Sequence, residues 1–469
     1  MPPDLQPVAL ESLAFDPGDP KATLAQLPQS SAVFALYGAD SEAEPYIGRT
    51  PNLRARLARL LQPSPKHPRR LHLAGLVRRI DWRLTGSEFE SLLAQFSLLE
   101  KVFGAKALER MHLRHPAFVR FLGGNPYPRV VVTHRPSLRE ADWAYGPFPS
   151  RAAAERYIEE MLKLFLLRRC TFDLSPDPSF PGCVYSEMKM CLAPCFKGCT
   201  DERYEEESAA VQSFLSTRGE SRLVTLRAER DQASADLAFE SAAALHAQVQ
   251  RVESVRALAP ELVHPLSQLR AVILQASANP DEVAVFLFEN GLLRGPASFS
   301  TLGMRIQNEQ SGSTSLFAQP MAIEAVPEEP GPEEQGAESQ GAGDQMDKGT
   351  EQVLAAHEVS GHDFSRADEE HKTQGALAPD AVPVKIPRTI LEARLESALA
   401  SLAQPSAAPS PTQRQAHLAL LKRWYYRSET KRTGEIFFPD AENRWPLKAI
   451  LRGIGRVFAA KSKPAAGGS

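Results

Sequence analysis

The spacing of apolar residues changes along this chain, and each change marks an element. Residues 31–37 read Ser-Ala-Val-Phe-Ala-Leu-Tyr, a continuous apolar run that predicts a buried strand, and Tyr46-Ile47-Gly48 predicts a second. Asn52 then caps a predicted helix whose apolar face is Leu53, Leu57, Leu60 and Leu61. A strand is expected over 127–133, followed by a helix that starts at Ser150 and carries Ile158, Leu162, Phe165 and Leu166 toward Cys170. Residues 223–256 show two helical periods, Leu226, Ala233 and Leu237 and then Leu245, Val249 and Val252, which predict two short amphipathic helices. Apolar runs at 271–274, 283–288 and 292–299, with Asn290-Gly291 between the last two, predict strands ending in a tight hairpin. From 386 the pattern turns helical again, with Trp424, Tyr425 and Tyr426 on one helix.

These elements describe an α+β multidomain chain. Its 469 residues suffice for about two to four domains. We divide it into a disordered lead-in (1–28), a small α/β domain (29–125), a linker and cysteine region (126–200) and a helical hairpin (201–260). A β-hairpin part (266–305), an acidic linker (306–383) and a basic helical and β part (384–462) follow. The formal charge of −3 conceals an uneven distribution. Residues 321–370 hold fourteen Asp and Glu against Lys348 and Arg366, a local −12, so the remainder carries −3 minus −12, or +9. With Phe364 its only aromatic, that segment has nothing to build a core from, and disorder is expected. No apolar run is long enough to span a bilayer, and the first residues lack the basic and apolar regions of a signal peptide, so a cytoplasmic protein without membrane contact is expected.

Charge and cysteine placement supply the candidate chemistry. Residues 49–83 contain ten Lys or Arg and only Asp81 against them, which suits phosphate binding as well as a solvated face. Residues 414–463 add twelve Lys or Arg against four acids, interleaved with aromatic side chains. All five cysteines lie between Cys170 and Cys199. Without a signal for export, disulfides are a poor explanation, and a reduced thiol cluster points to metal. The spacing leaves zinc, an iron–sulfur cluster and free thiols open.

The words around the cysteines resemble a known family. Arg168-Arg169-Cys170, Gly182-Cys183-Val184-Tyr185 and Met190-Cys191-Leu192-Ala193-Pro194-Cys195 resemble the cysteine region of the bacterial UvrC excinuclease family. The resemblance implies a 4Fe-4S cluster on Cys170, Cys183, Cys191 and Cys195, with Cys199 surplus. Tyr46-Ile47-Gly48 and Asn52-Leu53-Arg54-Ala55-Arg56 resemble the GIY-YIG nuclease domain of the same family. By that likeness Tyr46 stands at the water-activating position, Arg49 beside it, and Arg56 at the phosphate-stabilising one. Arg54, Arg59, Lys66, Arg69 and Arg70 would contact DNA. The stretch around Leu237-Ala238-Phe239 resembles the UVR motif, which implies pairing with a hairpin of the helicase-like UvrB protein through Leu237, Phe239, Leu245 and Val249.

The departures from the family pattern concern chemistry. Phe34 replaces a tyrosine, Leu60 another tyrosine, Gln95 the metal-binding glutamate, and Val119 an asparagine. An amide is a weak ligand for a hard dication, which leaves Mg²⁺ without its carboxylate. Glu90 and Glu100, each five positions from Gln95, fall on other faces of the helix. Two functions are therefore expected. One is a DNA repair adaptor that binds DNA and UvrB with incision lost or impaired. The alternative is an active metal-dependent endonuclease making a single-strand incision near lesions.

Overall fold

A computed structural model of the chain describes residues 10–40, 42–62, 72–136, 143–304, 386–404 and 409–462. Their elements build three four-stranded sheets. The first sheet has the order β1 (Glu11–Ala14), β4 (Val77–Leu84), β2 (Ala32–Gly38), β3 (Tyr46–Thr50), with every neighbour antiparallel. The lead-in is therefore partly structured. β1 pairs along β4, the short helix α1 (Pro20–Ala25) follows, and Phe15, Leu24 and Leu27 enter the core. The isolated apolar residues of this stretch gave no periodic signal, because their burial depends on β4, which lies some sixty residues later in the chain.

Helix α2 (Leu53–Leu61) starts where Asn52 Oδ1 accepts from the Ala55 N–H at 2.9 Å, and it buries all four leucines of the expected face. Gly48 is required at its place. The Phe34 ring stands 2.8 Å from where a Cβ on residue 48 would lie. Helix α3 (Glu88–Phe103), capped by Ser87 Oγ and ended by Gly104 with φ 56°, presses Ala94 and Leu98 onto Val33 of β2.

The second sheet runs β6 (Val130–Thr133), β5 (Ala117–Phe121), β7 (Ala144–Phe148), β8 (His264–Pro265). The boundary expected at 125 therefore moves back, since β5 belongs with the strands that follow it. Ser150 Oγ caps α5 (Arg151–Met161) as expected, but the helix ends at Met161 instead of reaching Cys170. α7 (Asp201–Ser216), α8 (Glu220–Ala235) and α9 (Phe239–Ala257) complete this core. The last two are a hairpin of longer helices than the periods suggested, because their outer turns are polar all round.

The third sheet joins two segments separated by the acidic stretch. Its order is β11 (Leu292–Ser300), β10 (Glu282–Glu289), β9 (Ala271–Ala276), β12 (Glu435–Phe437). Asn290 (φ 53°) and Gly291 (φ 80°) form the two-residue turn with both positions left-handed, which matches the right-handed twist of the strands. β10 is apolar throughout because both of its faces are covered. Val283, Val285 and Leu287 pack with α10 (Arg388–Leu402) and α12 (Leu447–Ser462), while Ala284, Phe286 and Phe288 pack with α3 and α11 (Pro411–Tyr425). The hairpin part and the C-terminal part are thus one unit, not two.

Residues 305–385 lie outside the described residues, including the acidic run and Phe364. The chain leaves and re-enters this unit at one place, where the Ile386 N–H donates to the Gly303 carbonyl at 3.4 Å. Replacing 306–383 by a short Gly/Ser linker should therefore leave the circular dichroism spectrum intact. By loop-closure entropy it should raise unfolding stability by at most about 2 kcal/mol. Loss of cooperative urea unfolding in that variant would show that the insertion holds the sheet together.

Candidate nucleic-acid interface and cysteine loop

β3 and α2 bring the two central candidates together. Tyr46 opens β3 with 36% of its surface exposed, and Arg56 lies on the first turn of α2. Arg56 Nη2 donates to the Tyr46 hydroxyl at 3.3 Å. Arg49 points to the N-terminus of α3, where its Nη1 donates to Glu88 Oε1 at 2.9 Å. Glu88 also takes Arg427, just beyond α11. The Arg427 hydrogen bond and then Arg49 hold the Glu88 carboxyl below its usual range against the opposing effect of burial. One turn earlier on α11, Arg423 donates to the Met111 carbonyl at 3.2 Å. Burial first, and then Arg49 and Arg427, lower its pKa. Two guanidinium groups thus share the Glu88 carboxylate between the first sheet and α11, and Arg423 stands close enough to feel its charge. Glu88, Arg423 and Arg427 were missed in the sequence. The basic count after 414 was the available signal, but nothing in it said which face of α3 it would meet.

The remaining positions divide. Phe34 is fully buried beneath Gly48 with its ring centroid 6.1 Å from that of Tyr46, and Leu60 is core. Gln95 is half-buried on α3. Val119 is not near this constellation's strands, since it lies on β5 of the second sheet with its side chain in that sheet's core. Arg54 Nε is tied to the Leu27 carbonyl at 2.6 Å, a structural anchor for the loop before β2. Arg59 is exposed. Lys66, Arg69 and Arg70 lie outside the described residues. Glu90 is buried, accepts from the Gly86 N–H at 2.8 Å and lies 3.6 Å from Arg83.

The cysteine loop hangs on one buried arginine. Arg168 is 3% exposed, and its Nε donates to the Tyr127 carbonyl and its Nη1 to the Phe172 carbonyl, both at 2.9 Å. The same Nη1 lies 3.5 Å from Cys170 Sγ. Tyr204 from α7 accepts the Arg168 N–H and donates to the Pro128 carbonyl at 2.8 Å, so strand, loop and helix meet there. Cys183 begins a short turn of helix, α6 (Val184–Glu187), and the Ala193 N–H donates to Cys191 Sγ at 3.3 Å. Ala193 (φ 54°) and Lys197 (φ 58°) are left-handed on either side of Pro194–Phe196, which curls the chain around Cys195. Burial raises the Cys191 thiol pKa, and Cys183, Cys195 and Cys170 raise it further. Cys195 is raised by burial and then by Cys183 and Cys170. Cys199 is raised by burial and then by Asp201, opposed by Arg203. None of the five is in a disulfide, and among the described residues no three His, Cys, Asp or Glu side chains stand close enough to hold one metal ion.

Residues 119–216, which span β5 through α7, match the family model described as UvrC/Cho excinuclease, middle domain. Over this middle region the chain is similar to the UvrC family. Similar curated proteins include the UvrABC system protein C of Aliivibrio fischeri, 26% identical over 276 residues, covering 58% of this chain and 43% of the relative. That of Aromatoleum aromaticum is 31% identical over 242 residues, covering 51% and 39%. That of Ruminiclostridium cellulolyticum is 26% identical over 316 residues, covering 66% and 51%. The matched stretch spans only about two fifths to half of these UvrC relatives. No solved structure matches. No helix among the described residues is long and apolar enough to cross a membrane.

Glu90 yields a test of how α3 is seated. Burial raises its pKa above 4.5, opposed by the Gly86 N–H and by Arg83, so the folded state favours the protonated acid. The penalty is absent below the unfolded pKa and grows as pH rises toward the folded one. Glu90→Gln should therefore raise stability at pH 7, with the gain shrinking as pH falls toward 4.5. Urea unfolding at both values checks it, and a loss of stability at pH 7 would mean the carboxylate is needed charged.

Proposed function

We propose that this chain is a UvrC-type nucleotide excision repair protein that binds DNA and a UvrB-like partner, with incision at the Tyr46 site lost or impaired. The observation that carries the reading is the basic constellation of Arg49, Arg56, Arg423 and Arg427 around Tyr46 and Glu88, in a chain whose middle region is similar to the UvrC family. Clustered guanidinium groups neutralise phosphates and release counterions. The GIY-YIG likeness assigns metal binding to position 95, where Gln95 brings no charge, and a phenol to position 34, where Phe34 is buried. Each lost electrostatic stabiliser costs about a hundredfold to a thousandfold in rate, so two losses suffice to suppress cutting.

The alternative is an active endonuclease, favoured by the Arg56 contact to the Tyr46 hydroxyl, which would hold the phenol toward an attacking water. Nicking of a lesion-bearing duplex with partner proteins and Mg²⁺ or Mn²⁺ separates the two. We expect no turnover by the wild type. Turnover that disappears in both Tyr46→Phe and Arg56→Ala would establish the nuclease instead. Glu88→Ala should tighten duplex binding and steepen the plot of log affinity against log salt by about one contact. Unchanged binding would remove Arg49 and Arg427 from the interface.

The cysteine loop suits a 4Fe-4S cluster held by Cys170, Cys183, Cys191 and Cys195. Cys170 and Cys183 both act on the Cys191 and Cys195 thiols, whereas Cys199 is acted on by Asp201, and N–H donors from Arg168 and Ala193 reach two of the sulfurs. Such a cluster would supply a rigid cross-link between the middle sheet and α7. Anaerobically purified protein should carry about four irons per chain. Cys191→Ser should lose them and Cys199→Ser keep them. Stoichiometric zinc in a colourless preparation would refute the assignment.

The partner-binding hairpin reduces to its tip. Leu237 (72% exposed) and Phe239 (65% exposed) stand in solvent between α8 and α9 and could seat in a matching hairpin. Val249 is buried in the chain's own core, which removes it from the binding surface, while Leu245 packs only partly against that core and keeps part of its surface exposed.

A further inference from the structure

A cavity of about 370 Å³ lies between α5, the α7–α8 turn, the end of α9 and the β7–β8 edge. It is remote in sequence from the Tyr46 constellation and contains none of its residues. Two guanidinium groups, of Arg218 and Arg256, line it together with Tyr157 and His264.

The backbone is bent to put Arg218 there. Arg218 (φ 52°) and Gly219 (φ 84°) both occupy the left-handed region in the turn between α7 and α8. A side chain larger than glycine is disfavoured at such a position, so an arginine held there is an observation that calls for a function. Gly219 itself makes room for the second guanidinium, because a Cβ at that residue would lie 2.8 Å from Arg256 Cγ.

The polar groups in the cavity are incompletely matched from within the chain. Arg256 pairs with Glu220 at 3.0 Å. Glu253, the carboxylate on the wall, is held by Arg227 at 2.8 Å. Arg218 makes no ion pair among the described residues, although the Glu261 charge acts on it through space, and its contact is Nη1 to His264 Nε2 at 3.5 Å. Burial first and then Arg218 lower the His264 pKa to about 4, so the imidazole is neutral at pH 7. Tyr157 is 4% exposed, packs its ring on Phe148 at 5.4 Å, and its hydroxyl has no hydrogen-bond partner among the described residues. Arg218, whose acceptor is the His264 imidazole at 3.5 Å, and Tyr157 thus line the cavity with donor capacity that an anion would complete.

We propose that this cavity is a phosphate-recognition site, in which Arg218 and Arg256 supply charge and the Tyr157 hydroxyl donates a hydrogen bond. The space is larger than a bare phosphate needs and falls in the range of small-ligand sites. The ligand is therefore a phosphate monoester on a body of about nucleoside size, either a free nucleotide or the phosphorylated end of a strand. The site goes beyond the repair reading and depends on neither the cluster nor the Tyr46 face.

Calorimetric titration of the full chain with inorganic phosphate, dAMP and a short oligonucleotide carrying a 5′-phosphate or a 5′-hydroxyl tests it. The wild type should bind dAMP or the 5′-phosphorylated strand at one site, and preference for the latter over its 5′-hydroxyl form identifies the strand end as the source. Arg218→Gly should weaken that binding at least about tenfold, the loss of one charge-assisted contact. It should also keep or raise the melting temperature, because glycine suits the left-handed turn. Tyr157→Phe should weaken binding while leaving the fold intact. Saturation by none of the probes, or binding unchanged in Arg218→Gly, would overturn the proposal.

Discussion

The packing of α3 on two sides is the interaction on which the rest of the structure depends. One face sets Ala94 and Leu98 on Val33 of the first sheet. Another sets Phe89, Leu92 and Phe96 against Phe286 and Phe288 of the third and Trp424 of α11. Phe89 meets the Phe286 ring edge-on with centroids 5.1 Å apart, the geometry aromatic quadrupoles prefer. An aromatic cluster buried this deeply has few alternative packings, because protein interiors are as dense as organic crystals. The consequence is electrostatic as well as mechanical. Seating α3 there carries Glu88 at its N-terminus to Arg427, and so joins the arginines of two distant segments into one surface.

The middle region solves a different problem. A loop of thirty residues rich in left-handed positions has little regular hydrogen bonding of its own. Arg168 replaces it, donating to two backbone carbonyls from a buried site, while Tyr204 closes the network from α7. A buried guanidinium is tolerated because it is bonded on several sides. That network ties the loop, the sheet and α7 into one construction, and the UvrC family match runs across all three.

Local pattern and short-range chemistry determined much of this protein by sequence alone. Asn52 and Ser150 cap the helices they were expected to cap, Leu53, Leu57, Leu60 and Leu61 all turn inward, and Asn290-Gly291 makes the hairpin. These features depend on backbone groups a few residues apart, so the chain states them locally. The cysteine words and the strand at Tyr46-Ile47-Gly48 were legible for the same reason, being contiguous.

Long-range burial was decided by the tertiary structure. Residues 11–27 looked like a disordered lead-in until β4 supplied the strand that pairs with Glu11–Ala14. Val119 stood in sequence near the first domain but takes its hydrogen bonds from β6 and β7. Val249 read like the other apolar positions of its helix, yet it is spent on the internal core while Leu237 and Phe239 are left outside. The Glu88–Arg427 pair and the cavity around Arg218 and Arg256 bring together residues with no common motif. A sequence specifies such pairs only through the free energy of packing the whole chain, and that sum is distributed over every element at once.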